Sequence, residues 1–151
     1  MKYKIPTDDK LTSMLQMIAG EDAAAKSNDK NKLDSISHRG LFVDKDGELV
    51  AICSCDLPTA AALGCALSMI PPGGAESMVE DKELTKSAAD NLYEVMNILS
   101  SLLMSDHSAH LKISSVVEGS GDDPTSGECH YAGFDLDLGK YGAGSLLFCA
   151  V

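Results

Sequence analysis

The spacing of hydrophobic and polar positions predicts a dominant helix near the middle of the chain, from Ser87 to Ser105. At roughly 100° per residue, positions i, i+4, i+7 and i+11 fall on one side of a helix. Apolar residues occupy such a series, with further apolar residues beside it: Leu92, Met96, Leu99 and Leu103, flanked by Val95, Ile98 and Leu102. This pattern is typical of an amphipathic helix that packs against a core.

The opposite face of this helix carries polar residues at the same spacing: Asp90, Glu94, Asn97 and Ser101. By helix geometry they lie within about 60° of each other. Most polar helix faces are only solvated, and this pattern alone is a weak motif. Neither acid has a basic residue four positions later, and an acidic pair without such a partner costs roughly a few tenths of a kcal/mol. The face therefore favours a cation supplied from outside the helix.

Before the central helix, the sequence predicts a helix, a β-hairpin and a second helix. The first helix spans residues 9–19 after a cap at Thr7 or Asp8, and residues 21–26 are compatible with its continuation after Gly20. The hairpin joins strands 40–43 and 48–53 through Asp44-Lys-Asp-Gly47, a turn sequence that only superficially resembles a calcium loop. A second helix opens at Asp56 and runs to about Met69, and an acidic connector follows over residues 71–85.

After the central helix, alternating residues predict three strands, over 109–117, 129–138 and 145–151, the last of them central in its sheet. A flexible loop is predicted for 118–127 because it is rich in Gly, Ser and Asp. The strands come as hairpins and not as βαβ units. The prediction is therefore an α+β fold, an antiparallel sheet carrying helices in the order α-β-β-α-α-β-β-β.

Composition narrows the function classes. A length of 151 residues is most simply a single domain, 1–151. The net charge of −11, without clusters of Lys or Arg, argues against a nucleic-acid partner. We expect no membrane span, because the longest apolar run is too short for one. The five cysteines, an odd number, include no C-x-x-C pair and have no zinc-site spacing with the His residues. We therefore predict buried, reduced thiols, a cytoplasmic protein and no bound metal.

These residues, in this order, resemble the CheC/CheX/FliY family of response-regulator phosphatases. The family signature is Asp or Ser, three residues, Glu, two residues and Asn, and it stands here as Asp90, Glu94 and Asn97. The hairpin and following helix, 43–70, look like the family's strand-turn-strand into a P-x-x-A-x-x-L helix. Members similar to CheX carry one copy of the signature, as here, and a worn second copy stands at Ser13 and Gln16.

The resemblance implies a phosphatase of an aspartyl-phosphorylated, CheY-like receiver domain. Asn97 would orient the attacking water, since an amide both donates and accepts hydrogen bonds. Glu94 would engage the receiver's active-site Lys, and Asp90 and Ser101 would bind the partner. No cofactor of its own is implied, since Mg²⁺ would belong to the receiver, and the family also allows a homodimer.

Two alternatives stay open at this point. The same fold serves flagellar switch proteins, so the chain could be a non-catalytic interaction module. A metal or redox protein built on the Cys and His residues has little support from their spacing.

Overall fold

Six strands form one antiparallel sheet in the part of the chain that the structure, a computed structural model, describes: residues 2–121 and 129–151. Their spatial order is β1 (Ala23–Ser27), β5 (His130–Leu138), β6 (Ala143–Ala150), β3 (Leu49–Cys55), β2 (His38–Val43) and β4 (Lys112–Glu118). Every pairing is antiparallel, and β6 and β3 lie at the centre. The predicted α+β class and the central position of the last strand are confirmed.

Four α-helices accompany the sheet in the described chain: α1 (Asp8–Ala19), α2 (Leu57–Ala66), α3 (Pro72–Asp81) and α4 (Lys86–Leu99). A 3₁₀ turn, Ser100–Leu103, continues α4. Thr7, Asp56 and Thr85 cap α1, α2 and α4, each accepting a hydrogen bond from a backbone N–H of the first turn. Because these caps satisfy otherwise unpaired N–H groups, the start of each of these helices is determined by residues next to it in the sequence.

The core lies between the helices and one face of the sheet and is mainly aliphatic. On β6, Leu146, Phe148 and Ala150 alternate into the same cluster that buries Leu92 and Met96 of α4. Phe148 also meets Phe134 of β5 edge to face, with ring centroids 6.0 Å apart. The apolar stripe predicted for the central helix is therefore the surface by which α4 joins the core.

The hairpin turn is confirmed and is explained by turn chemistry. Asp44 Oδ1 accepts hydrogen bonds from the backbone N–H groups of Asp46 and Glu48, at 2.9 and 3.0 Å. Gly47 has φ +81°, a conformation that glycine adopts without the steric cost of a side chain. These contacts occupy the carboxylate that a calcium loop would use as its first ligand.

Residues 21–26 do not continue the first helix, and that prediction was wrong. Strand β1 begins at Ala23 and pairs with β5, with Ala25 opposite Leu136. Gln16 and Thr12 of α1 hold the new strand by hydrogen bonds to backbone atoms of Ala23 and Ala25. Tertiary pairing thus overrides the high helix propensity of the alanine run.

The connector predicted for 71–85 contains a helix, α3, and that prediction was also wrong. Pro71 and Pro72 end the preceding turn, but Pro72 also starts α3, because its fixed φ suits a first helical position. Ala75 and Met78 of α3 are buried in a second cluster with Cys65 and Ala88. The element order is therefore α-β-β-β-α-α-α-β-β-β, one strand and one helix more than predicted.

The predicted loop at 118–127 lies mostly outside the described residues, since 122–128 are not described. Among those that are, no helix is long and apolar enough to cross a membrane.

Candidate functional site

The rotation of α4 is set by close packing against α2. A Cβ placed on Gly64 would lie 2.6 Å from the backbone oxygen of Ala88, so only glycine allows this approach. Asn91 Nδ2 donates hydrogen bonds to Gly64 O at 2.8 Å and to Ser68 Oγ at 2.5 Å. With Leu92 and Met96 fully buried, these contacts fix which face of α4 meets solvent.

The four polar residues singled out in the sequence are all exposed: Asp90, Glu94, Asn97 and Ser101. Glu94 and Asn97 therefore point away from the core on one helix, as predicted. The α-helix ends at Leu99, however, and Ser101 belongs to the 3₁₀ turn. Because a 3₁₀ turn rotates more per residue than an α-helix, the predicted ladder does not extend regularly to Ser101. The Ser101 hydroxyl donates to Ile98 O at 3.0 Å.

Asp90 does have a basic partner, contrary to the sequence interpretation. Lys86 lies four residues before it, and its Nζ is 2.9 Å from Asp90 Oδ2. Both side chains are largely exposed, so the ion pair adds well under about 1 kcal/mol to stability. Glu94 takes part in no ion pair in residues 2–121 and 129–151. Of the two acids, Glu94 is thus the one whose charge is left for a partner.

A groove of about 460 Å³ runs between α4 and strands β2 and β4, beside this face. Its lining combines apolar, aromatic, acidic and imidazole groups: His38, Ala89, Asp90, Leu92, Tyr93, Glu94, Val116 and Glu118. We call it the α4–β4 groove. Asn97 is not among the residues that line it, so the groove extends from Glu94 toward the start of α4.

His38 is the most buried titratable residue of this groove, with 8% of its surface exposed. Its Nδ1 lies 2.7 Å from Ser37 Oγ, and its Nε2 lies 3.9 Å from Glu118 Oε1. Burial lowers the pKa of His38, while the nearby Glu118 carboxylate partly opposes that shift. The net shift favours the neutral imidazole at pH 7.

Neither His38 nor Glu118 stood out in the sequence. The structure places them opposite each other in the pairing of β2 with β4, across some 80 residues of chain. Tyr93 was not singled out in the sequence because it lies between the two faces assigned to the central helix. Only strand register could have indicated this groove.

The cysteines and histidines were the basis of the alternative metal or redox site. No group of three His, Cys, Asp or Glu side chains could hold a metal ion in the described residues. Cys53 and Cys55 are not joined in a disulfide, and burial raises the pKa of both thiols, which keeps them protonated. His107 and His110 are exposed.

The worn copy of the signature on α1 is used structurally. Gln16 Nε2 donates to Glu21 O and Ala23 O, so its amide is engaged with the backbone. This amide holds β1 against α1, which leaves the face of α4 as the candidate site.

No protein-family model matches the sequence, and no curated protein matches it closely. Solved structures do match. A structure of the FliM–SpeE complex from H. pylori superimposes with a TM-score of 0.64 at 9% identity, covering 95% of this chain and 80% of that one. CheX from Vibrio vulnificus gives 0.58 at 16% identity, covering 92% of each chain.

A third match is a structure of the CheX–CheY complex with BeF₃ and Mg²⁺ from Borrelia burgdorferi. Its TM-score is 0.53 at 16% identity, covering 91% of this chain and 90% of that one. Identities this low establish shared architecture. The chain has the fold of the CheC/CheX/FliY family, which the signature helix and the hairpin had indicated.

Proposed function

We propose that the protein is a phosphatase of an aspartyl-phosphorylated, CheY-like receiver domain. The observation that carries the proposal is the exposure of Glu94 and Asn97 on one face of a firmly packed helix. Support also comes from the fold, since a CheX of this fold has been captured in a complex with CheY, BeF₃ and Mg²⁺. In this proposal the protein acts in the cytoplasm, where receivers are phosphorylated.

The protein needs to contribute little covalent chemistry to this reaction. Water attacks phosphorus, the bond from phosphorus to the aspartyl oxygen breaks, and inorganic phosphate and a free carboxylate result. Catalysis then depends on holding water in line with that bond. The Asn97 carboxamide can accept a hydrogen bond from the water and donate one to a phosphoryl oxygen.

The remaining side chains have docking roles in this scheme. Glu94, which has no ion pair of its own among the described residues, would meet the receiver's active-site Lys in a charge-assisted hydrogen bond. Asp90 would contact the partner while it stays paired with Lys86. The Ser101 hydroxyl, which donates to Ile98 O, would accept a hydrogen bond from the partner. Mg²⁺ would be held by the receiver, and the protein itself would need no cofactor.

Substitution of Asn97 tests the proposal. With phosphorylated receivers from the source organism, we expect Asn97→Ala to slow catalysed phosphate release on the order of 100-fold, because the water loses its orienting group. Receiver binding and the unfolding transition should stay close to those of the wild type, since Asn97 is exposed. Release of inorganic phosphate from each receiver measures the rate.

The exposed Asn31, in the loop after β1, provides the matched control. Asn31→Ala removes the same amide elsewhere and should leave the rate unchanged. Full activity of Asn97→Ala would refute the assignment of the amide.

A second candidate is a binding module without catalysis, favoured by the FliM–SpeE structure, which has the same fold. It predicts receiver or flagellar-protein binding with an unchanged phosphate lifetime, which the same assay would reveal. Homodimerisation stays a prediction, and sedimentation equilibrium would test it.

A further inference from the structure

The α4–β4 groove is suited to an elongated side chain with an apolar stem and a polar head. Ala89 and Val116 line it with accessible apolar surface, and Tyr93, which is 36% exposed, adds an aromatic ring. Glu118 stands at its open side, because its side chain is 85% exposed, against 10% for His38. Polarity therefore changes along the groove from an apolar interior to an acidic rim.

The negative charge of the groove favours a cationic side chain as its ligand. Three carboxylates line it, those of Asp90, Glu94 and Glu118, and no Lys or Arg is among its lining residues in the described chain. Lys86 pairs with Asp90, and Lys82 lines the adjoining cleft with His38 and Glu118. An arginine or lysine stem can cover apolar surface while its charged head reaches the carboxylates. An anionic or uncharged side chain would leave those charges without compensation.

His38 adds an observation that the acidic groups do not explain. Its side chain is nine-tenths buried and lines the groove, yet its Nε2 has no hydrogen bond within residues 2–121 and 129–151. The 3.9 Å to Glu118 exceeds hydrogen-bonding distance. Since the Ser37 hydroxyl can donate to or accept from Nδ1, the ring can adopt the tautomer whose Nε2 accepts a hydrogen bond. Nε2 is not sealed from solvent, so a donor on a partner's side chain can take the place of water there.

We infer that this groove receives an arginine side chain of the partner protein, whose guanidinium donates to both Glu118 and His38 Nε2 from the open side of the groove. Its methylene stem would lie on Ala89 and Val116. Arginine fits better than lysine, because the guanidinium holds its donors in a rigid planar fork and can stack on an aromatic ring such as Tyr93. The contact would be a second docking point, separate from the contact of Glu94 with the receiver's Lys.

The identity of the partner rests on the proposed function, but the preference of the groove is measurable without any phosphate chemistry. The probe is Nα-acetyl-arginine amide, titrated into ¹⁵N-labelled protein and followed by NMR. Nα-acetyl-citrulline amide has nearly the same shape without the charge, and Nα-acetyl-lysine amide has the charge without the planar head.

We expect saturable shifts of the backbone signals of Tyr93, Val116 and Glu118 and of the His38 ring with the arginine probe. The citrulline probe should give no saturable shifts, and the lysine probe should bind at least about threefold more weakly. Glu118→Gln should weaken arginine binding about threefold to fivefold, the range expected for an exposed charge. Asp106→Asn, an equal change of charge on an exposed loop residue, should leave the affinity unchanged.

Equal responses to arginine and citrulline, or equal losses from Glu118→Gln and Asp106→Asn, would overturn the inference. Equal binding of lysine would also overturn it, because the groove would then recognise charge alone. Asn97→Ala separates the two proposals: it should bind the probe normally while losing phosphatase activity. If the protein binds the probe but dephosphorylates no receiver, the inference about the groove stands and the proposed function is refuted.

Discussion

Asp90 and Glu94 lie one turn apart on the same helix, yet their electrostatic surroundings differ. Lys86 pairs with Asp90 at 2.9 Å, whereas Glu94 has no such partner in the described chain. The pair could have been predicted, because Lys86 precedes Asp90 by four residues in the sequence. The exposure of Asn97 and Glu94 was predictable from periodicity alone, since the opposite face is strongly apolar.

His38 should make stability depend on pH. In the folded protein burial lowers its pKa, so between that pKa and the unfolded value of about 6.5 the unfolded chain binds more protons. The contribution is therefore fully present above the unfolded pKa and is lost as the pH falls through the folded one. Urea unfolding of wild type and His38→Gln between pH 5 and about pH 8 measures it.

We expect the wild type to lose more unfolding free energy than His38→Gln as the pH falls through this range. His107→Gln, at an exposed position, serves as the control and should follow the wild type. Parallel curves for His38→Gln and wild type would contradict a buried, neutral imidazole.

Among the secondary-structure elements, α4 is placed by a contact that needs a residue without a side chain. Gly64 of α2 touches the backbone of Ala88, and a Cβ there would come within 2.6 Å of a carbonyl oxygen. We expect Gly64→Ala to lower the unfolding free energy by about 1–2 kcal/mol, because the cost of overpacking exceeds the gain in helix propensity. Denaturant unfolding measures the change.

Gly73 in the first turns of α3 is the matched control. It is exposed, and nothing lies within 4 Å of a Cβ built on it. Gly73→Ala should be neutral or raise the unfolding free energy by up to about 1 kcal/mol. An equal loss in both variants would mean that the α2–α4 approach is not responsible.

The two elements that sequence patterns missed share a cause. Strand β1 consists largely of alanines with no strand preference of their own, and it exists because β5 and α1 supply its hydrogen bonds. Helix α3 starts at Pro72, the second residue of a Pro-Pro pair, a pattern as typical of a helix start as of a break. Its Ala75 and Met78 are buried against Cys65 and Ala88 of the neighbouring helices. In both cases the deciding partners lie on other elements.

At the scale of the whole molecule, β1 and β4 form the two edges of the sheet in the described residues. Helix α1 covers the β1 edge: Thr12 Oγ1 accepts from Ala25 N at 2.9 Å and donates to Ala25 O at 3.3 Å. Polar side chains of a helix thus take the place of a seventh strand, which prevents edge pairing with other chains.

Thr12→Val keeps the shape of the side chain and removes both hydrogen bonds. We expect it to lower the unfolding free energy by about 1–2 kcal/mol, since a half-buried peptide group loses its partner. The amide proton of Ala25 should also exchange faster, as hydrogen-exchange NMR would show. Ser13→Ala, at the next and exposed position, should change neither quantity, and unchanged exchange in Thr12→Val would refute the role of Thr12 at the edge.

Local patterns were sufficient for the fold class, the hairpin, the capped helices and the outward direction of Glu94 and Asn97. Each of these depends on residues a few positions apart, through helix periodicity, caps and turns. The α4–β4 groove, the approach of His38 to Glu118 and strand β1 depend on chain segments brought together by the register of the sheet. Register is set by packing across the whole core, and periodicity within one segment carries no information about which strands pair.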